Sequence, residues 1–312
     1  MELELSDDAI EYGRVARRAF DAAGGDALVV EAEANPQLRT SIEALLDDLG
    51  ARDLDVRDSP SELEAAAALC RSAGYFAIPY PVAERLCRIQ GMDGMVVVED
   101  RRPQAPAEGL DWVWTAVGLG GSRFRAQAAG SGSTTPKTSP FVVDLDLEPM
   151  DRVDPLELAL GVVLPCWTLL GFLDRAVELT RSHVKERHQF GAPLASLQGV
   201  QFELTEAEVE RVGLEVLANH ALWSLQTGRT AAFQDALGLR SAALEAAEAV
   251  FRVAHLLHGA SGFCDESTLS WLSRHSRTIR RLPMGLSQTR AVLARQLGTS
   301  PLEGIFAHPG DR

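Results

Sequence analysis

From Asp154 to Leu297 the sequence holds an almost unbroken helical pattern. It opens on Asp154-Pro155-Leu156-Glu157: an aspartate cap, a proline at the first helical position, a glutamate at the third. The spacing predicts one helix from Pro155 to about Glu186. A second starts at Ser196 and carries Leu214, Ala218, Ala221 and Leu225 on one face, ending at Thr227-Gly228-Arg229-Thr230. A third runs from Ala231 to about His258, where Gly259-Ala260-Ser261-Gly262 breaks the chain. A fourth holds Leu269, Leu272 and Ile279. Pro283-Met284-Gly285 interrupts it, and a last helix takes Ser287 to Leu297. Long helices with short connections imply an up-and-down bundle.

The preceding sequence is divided. Residues 1–90 read as helices. Ser6-Asp7-Asp8 caps a helix through Phe20. Pro36 opens another, with Leu38, Ile42, Leu45 and Leu46 on one face and Gly50 as its stop. Ser59-Pro60-Ser61-Glu62 starts a third that reaches Gly74, and Pro79 and Pro81 precede a short helix over Val82–Cys87. Residues 91–152 change character. Met95–Val98, Trp112–Val117 and Phe141–Leu145 are strand-like, and Gly130–Pro140 between the last two reads as a flexible loop. Three or four strands make a small β domain. Residues 153–312 are the helical bundle, so the fold class is α+β, mainly α.

Charge and composition narrow the function. The chain has 312 residues and a net charge of −14, which argues against nucleic acid or an anionic membrane as partner. The apolar run Leu156–Phe172 is short and interrupted by Glu157, Gly161 and Pro165, so no membrane span is expected. Cys70, Cys87, Cys166 and Cys264 are scattered and read as reduced thiols. The N-terminus lacks a basic region and an apolar core, so no secretory leader is expected and the location is read as cytoplasmic. No His, Cys or carboxylate cluster has metal spacing. Ser261 is not a nucleophile elbow. Arg274, Arg277, Arg280 and Arg281 form a basic helical patch, read as a solvated face or as docking for a partner or for phosphates.

Chemistry concentrates at the junction of the first two long helices. Arg187-His188-Gln189-Phe190-Gly191-Ala192-Pro193-Leu194, with Gln198 seven beyond Gly191, sets a cation, an amide and an aromatic ring at a helix end. Glycine and proline then turn the chain back. An arginine fork suits a pyrophosphate and stays charged at any working pH. This motif resembles the acyl-CoA dehydrogenase signature. So do Leu256-Leu257-His258-Gly259-Ala260-Ser261-Gly262-Phe263 and the final segment from Gly285 through Gln288 to Arg295. The resemblance implies an N-terminal helical domain, a small reduced β domain and a C-terminal four-helix bundle with oligomerisation motifs. It also implies FAD held across a subunit interface, with Arg187, Gln189, Phe190, Gln198, His258 and Gly259 touching the FAD of a partner. Leu256 stands where the family has a glutamine, a contact that His255 or His258 would have to replace.

The family's reaction removes an α-proton with a carboxylate while a hydride passes to the flavin. The usual place of that base holds Met284, whose thioether cannot take the proton. Its second place in the family falls near Gly161, again without a carboxylate. Glu157, one turn earlier, fits a capping role better. No catalytic base is therefore assigned. The resemblance extends to the short, base-less subunits of actinobacterial heterotetrameric enzymes that act on steroid-derived acyl-CoAs. Their partner is a homologous full-length acyl-CoA dehydrogenase subunit, which would supply the flavin-lining β domain, the acyl pocket and the base. Two other readings stand beside it: a scaffold without cofactor, and a homodimeric enzyme with an atypical base such as Glu157 or Glu206. Trp112 and Trp114, two apart in a strand-like stretch, read as core.

Overall fold

The computed structural model describes residues 4–57, 59–129, 141–152, 154–189 and 191–299. The loop Gly130–Pro140 and the site residue Phe190 lie outside them. Helix α1 (Asp7–Ala22) is capped as expected, with the Ser6 hydroxyl accepting from Ala9 N. A helix the pattern did not signal, α2 (Ala27–Ala34), follows; its alanine-rich, apolar sequence has no clear stripe. Pro36 opens a 3-10 turn rather than an α-helix, and α3 (Ser41–Asp48) buries Ile42 and Leu46 while Leu38 stays exposed. In α4 (Pro60–Tyr75) the Ser59 hydroxyl accepts from Glu62 N, and α5 (Val82–Leu86) is short.

The sheet has five strands, β1 (Gly94–Val98), β2 (Gln104–Ala105), β3 (Trp114–Gly118), β4 (Ser122–Ala128) and β5 (Val143–Arg152), in the order β1-β3-β4-β5-β2. β1 and β3 run parallel, with Gly94 opposite Trp114, and both are wholly buried. β4 pairs antiparallel with β3 and β5. The sequence reading had missed β4. Its Ser-Arg-Phe-Arg-Ala-Gln-Ala run lacks the β-branched residues that mark strands, and its pairing is decided by neighbours on both sides. Trp112 and Trp114 are core, their rings 4.7 Å apart over Gly94.

Helix α6 spans Pro155–Glu186, capped by Asp154, whose carboxylate accepts from Leu156 N at 2.8 Å. It is long and apolar enough to cross a membrane by composition, yet 78% of its most apolar window is buried inside the protein. It is the central helix of the fold, packed against α4 and against α7 (Gln198–Gln226), α8 (Ala232–His258) and α9 (Thr268–Arg281); α10 (Leu286–Thr299) lies on α8. Leu214, Ala218, Ala221 and Leu225 are buried, as their spacing predicts.

Gly74 and Gly171 set the α4–α6 contact. A Cβ on Gly74 would stand 1.9 Å from the carbonyl oxygen of Thr168, and one on Gly171 would stand 1.9 Å from that of Arg71. The absence of a side chain at Gly74 lets the two backbones touch. Ion pairs tie the same helices: Arg71 reaches Asp174 and Glu215, each at 2.6 Å, and Arg211 reaches Asp174 at 3.0 Å. One continuous core runs through the N-terminal helices, the sheet and the bundle.

Candidate functional site

The C-termini of α6 and α8 and the N-terminus of α7 meet at one end of the bundle. Arg187 caps α6, its N–H donating to the His183 carbonyl at 2.8 Å, and its own carbonyl accepts from Leu194 N at 2.8 Å. Between these bonds lies a tight hairpin, β6 (His188–Gln189) and β7 (Ala192–Pro193), turned at Gly191 with φ +80°. Glycine adopts that angle without steric cost. A 3-10 turn, Leu194–Ser196, then delivers Gln198 as the first residue of α7. Arg187, Gln189 and Gln198 are all exposed, and Arg187 has no ion pair among the described residues.

The second motif arrives from α8. The His258 ring stacks on His183 of α6, centroids 4.3 Å apart. His258 Nδ1 lies 2.9 Å from the Ala254 carbonyl, which can only accept, so Nδ1 carries the proton and Nε2 keeps a free lone pair. Burial, and then the neighbouring His183 and His255, hold the His258 pKa below the ordinary imidazole value. His183 is lowered in turn, by burial and then by Arg187. Both rings are therefore neutral at pH 7, and Arg187 supplies the positive charge. His183 was not picked out from the sequence. It stands four residues before Arg187, on the same helix face, and that spacing was the available signal.

Gly259 ends α8 at φ +60°, with open space where a Cβ would be. Phe263, 67% exposed, stacks on His255 at 4.4 Å, and Leu256 is 58% exposed. This end of the molecule thus gathers a neutral histidine pair, the Arg187 guanidinium, free glycine backbone and bare apolar side chains. The structure brings Arg187 and His258 to one place through His183. Gln189 and Gln198 stand on the hairpin and helix start beside them.

The position expected to hold a base lies elsewhere. Met284 is 2% exposed, and its carbonyl accepts from Arg240 Nη2 at 2.7 Å. Arg240 also binds the carbonyls of Leu282 (2.7 Å) and Ile279 (3.2 Å), so one buried guanidinium ties down the α9–α10 turn. Arg240 precedes His258 by eighteen residues on α8. At 1.5 Å per residue, Arg240, which holds the Met284 carbonyl, and His258 are about 27 Å apart along α8. Near Gly161 there is no room for a carboxylate, since a Cβ would meet Val97 at 2.8 Å and Met95 at 3.1 Å. Glu157 is engaged by Arg57 at 3.5 Å and by Arg123. Glu206 is on the surface with Arg252, 2.8 Å away.

Two further features frame the site. The cleft between α5, α6 and α9 holds only about 70 Å³, well under the roughly 300–1,000 Å³ of small-molecule pockets. Arg39 fills it, donating to the carbonyls of Pro79 (2.6 Å) and Pro106 (2.7 Å) and to that of Glu108. The basic patch lines a groove of about 490 Å³ between α8 and α9, together with Glu248, His255 and Phe263. Arg274 there pairs with Asp265 at 3.0 Å and lies over Trp271.

Comparison with known proteins follows the same outline. Residues 157–295 match the family described as acyl-CoA dehydrogenase, C-terminal domain. Acryloyl-CoA reductase (NADH) of Anaerotignum propionicum is 26% identical over 149 residues, 47% of this chain and 36% of that protein. The aligned stretch thus spans about a third of that relative's length. Among solved structures, the ChsE4–ChsE5 complex from Mycobacterium tuberculosis aligns with TM-score 0.79 at 17% identity, covering 97% of this chain and 100% of that one. The Tcur3481–Tcur3483 steroid ACAD G363A variant aligns with TM-score 0.78 at 19% identity, covering 95% and 99%. Residues 157–295 are thus similar to an acyl-CoA dehydrogenase C-terminal domain, and the molecule as a whole has the acyl-CoA dehydrogenase fold.

Proposed function

We propose that the chain is the base-less subunit of a heteromeric, FAD-dependent acyl-CoA dehydrogenase, and that it completes the FAD site of a homologous, full-length partner subunit. The observation that carries this is a separation. His258 ends α8 while Arg240, which holds the Met284 carbonyl, lies five turns earlier on the same helix, so the Arg187–His258 cluster and the Met284 position stand at different ends of α8. Exposure supports it too, since Arg187, Gln189 and Gln198 face outward in the single chain.

The residues fit the nucleotide end of FAD. A guanidinium with no ion pair among the described residues, open backbone at Gly191 and Gly259, and the His258 Nε2 lone pair suit a pyrophosphate and its adenosine. They do not fit the flavin ring, because Trp112, Trp114 and Thr115 are buried in the core. When bound, FAD accepts the hydride that leaves the β-carbon of an acyl-CoA. This chain's part is to hold the anion with Arg187, to offer the amides of Gln189 and Gln198, and to set the Gly259 backbone beside it. The α-proton goes to a carboxylate of the partner, since Met284 cannot accept it and Glu157 is held by two arginines. The small cleft around Arg39 supports an acyl pocket on the partner as well. A steroid-derived acyl-CoA is the substrate class, by likeness of fold to the steroid enzyme, in a cytoplasmic complex.

The test is purification of the chain alone and together with a homologous full-length subunit. The complex should show flavin absorbance and oxidise acyl-CoA; the single chain should be colourless and inactive. A yellow, active homomer would overturn the proposal.

A further inference from the structure

Arginines elsewhere in this acidic chain are matched. Arg71, Arg211 and Arg252 hold carboxylates, and Arg240 holds backbone carbonyls. Helix α9 departs from that pattern. Arg277, Arg280 and Arg281 make no ion pair among the described residues. Arg280 is half-buried, its guanidinium 5.7 Å from the centre of the Phe251 ring. Burial holds its pKa below the ordinary guanidinium value; Glu248 opposes that, and the like charges of Arg277 and Arg281 add to it.

The bland reading is that cations gather in the last turn of a helix to meet its carbonyls. Those carbonyls are already engaged. Arg240 donates to Ile279 and Leu282 at 3.2 and 2.7 Å, and Leu282 N donates to Thr278 at 2.9 Å. The three arginines are therefore not needed to close the end of α9, and they face the groove of about 490 Å³ between α8 and α9. That volume lies within the roughly 300–1,000 Å³ of small-ligand sites.

The arrangement says what shape of anion fits. Arg274, Arg277 and Arg281 follow one another at intervals of three and four residues along one face of α9. At 1.5 Å per residue the row is about 10 Å long. A single phosphate cannot reach both ends of it; a short chain of phosphates can. Guanidinium forks match phosphate oxygens in pairs. Long polyanions are disfavoured by the net charge of −14 and by Glu248 in the groove itself. We propose that the α8–α9 groove binds a short chain of phosphate groups, carried by a nucleoside polyphosphate or free as inorganic polyphosphate, with Arg277, Arg280 and Arg281 holding the anion. None of the three belongs to the Arg187–His258 cluster, so this inference stands or falls apart from the cofactor reading.

Isothermal titration calorimetry of the full chain with sodium triphosphate, orthophosphate and ATP tests it. Triphosphate should bind at least about tenfold tighter than orthophosphate, and its affinity should fall as salt rises. An Arg277→Gln/Arg281→Gln chain, checked by circular dichroism for an intact fold, should lose at least about tenfold in triphosphate affinity. Arg187→Ala, which cuts the cofactor cluster, should leave that affinity unchanged. In the Arg187→Ala chain, ATP binding as tightly as triphosphate or tighter assigns the ligand as a nucleotide, and weaker ATP binding assigns it as inorganic polyphosphate. Equal binding of triphosphate and orthophosphate, or an unchanged affinity in the double variant, would overturn the inference. So would tighter binding of an oligoglutamate peptide than of triphosphate, because the occupant would then be an acidic protein segment.

Discussion

Arg240 and Arg39 show how single buried cations organise this molecule. Each guanidinium answers three backbone carbonyls that no helix or strand satisfies. Burial pulls the Arg39 pKa down to about 10, and Arg240 is lowered for the same reason; both stay charged at pH 7. Replacing Arg240 by methionine keeps the apolar stem and leaves three carbonyls orphaned. Unfolding by urea should show a loss of about 3 kcal/mol or more; a change within about 0.5 kcal/mol would refute the role given to the guanidinium. Gly171 is the other sharp case. Gly171→Ala forces a Cβ against the Arg71 carbonyl, and overpacking of this kind costs about 1–3 kcal/mol. An unchanged melting temperature would count against the tight α4–α6 contact. Neither role was readable in the sequence. An arginine in a helix looks like a surface residue, and the glycine contact is invisible locally because the partner backbone lies about a hundred residues away.

Among the elements, α6 was the most legible: its cap, proline and full length came from local chemistry. The hairpin motif was legible as a motif facing a partner, while its contact to α8 through His183 was not, since that contact is tertiary. Strand β4 and helix α2 were lost for want of a periodic apolar signal. Helix α9 docks on α2 through His275, whose Nε2 lies 2.9 Å from Glu33. Burial, then Arg274, depresses the His275 pKa to about 4, so the ring is neutral in the fold and titrates near 6.5 once unfolded. Below pH 6.5 the unfolded chain therefore binds the extra proton, and stability falls as pH drops from 6.5 toward 4, by about 3 kcal/mol in all. Denaturation at pH 7 and pH 4.5 should show a shallower fall for His275→Gln than for the unchanged chain. Equal slopes would remove His275 from that account.

For the whole molecule, the composition foresaw an acidic, mainly helical protein with a small sheet, and the architecture agrees. Met284 at the base position already pointed to incompleteness; where the remaining groups lie is a matter of tertiary structure. The groups that suit a cofactor lie at one end, outward, beside bare Leu256 and Phe263. The position that would hold a base lies far down the bundle, sealed by Arg240. Such a molecule makes chemical sense as half of a shared site. The most direct test is flavin affinity in the complex with a homologous full-length subunit, with Arg187→Ala introduced only in this chain. Losing a charge-assisted contact to an anion costs about 1.5–3 kcal/mol. FAD titration, followed by absorbance, should therefore show affinity weakened by tenfold or more while the complex stays assembled. An unchanged flavin affinity in that intact complex would contradict the account.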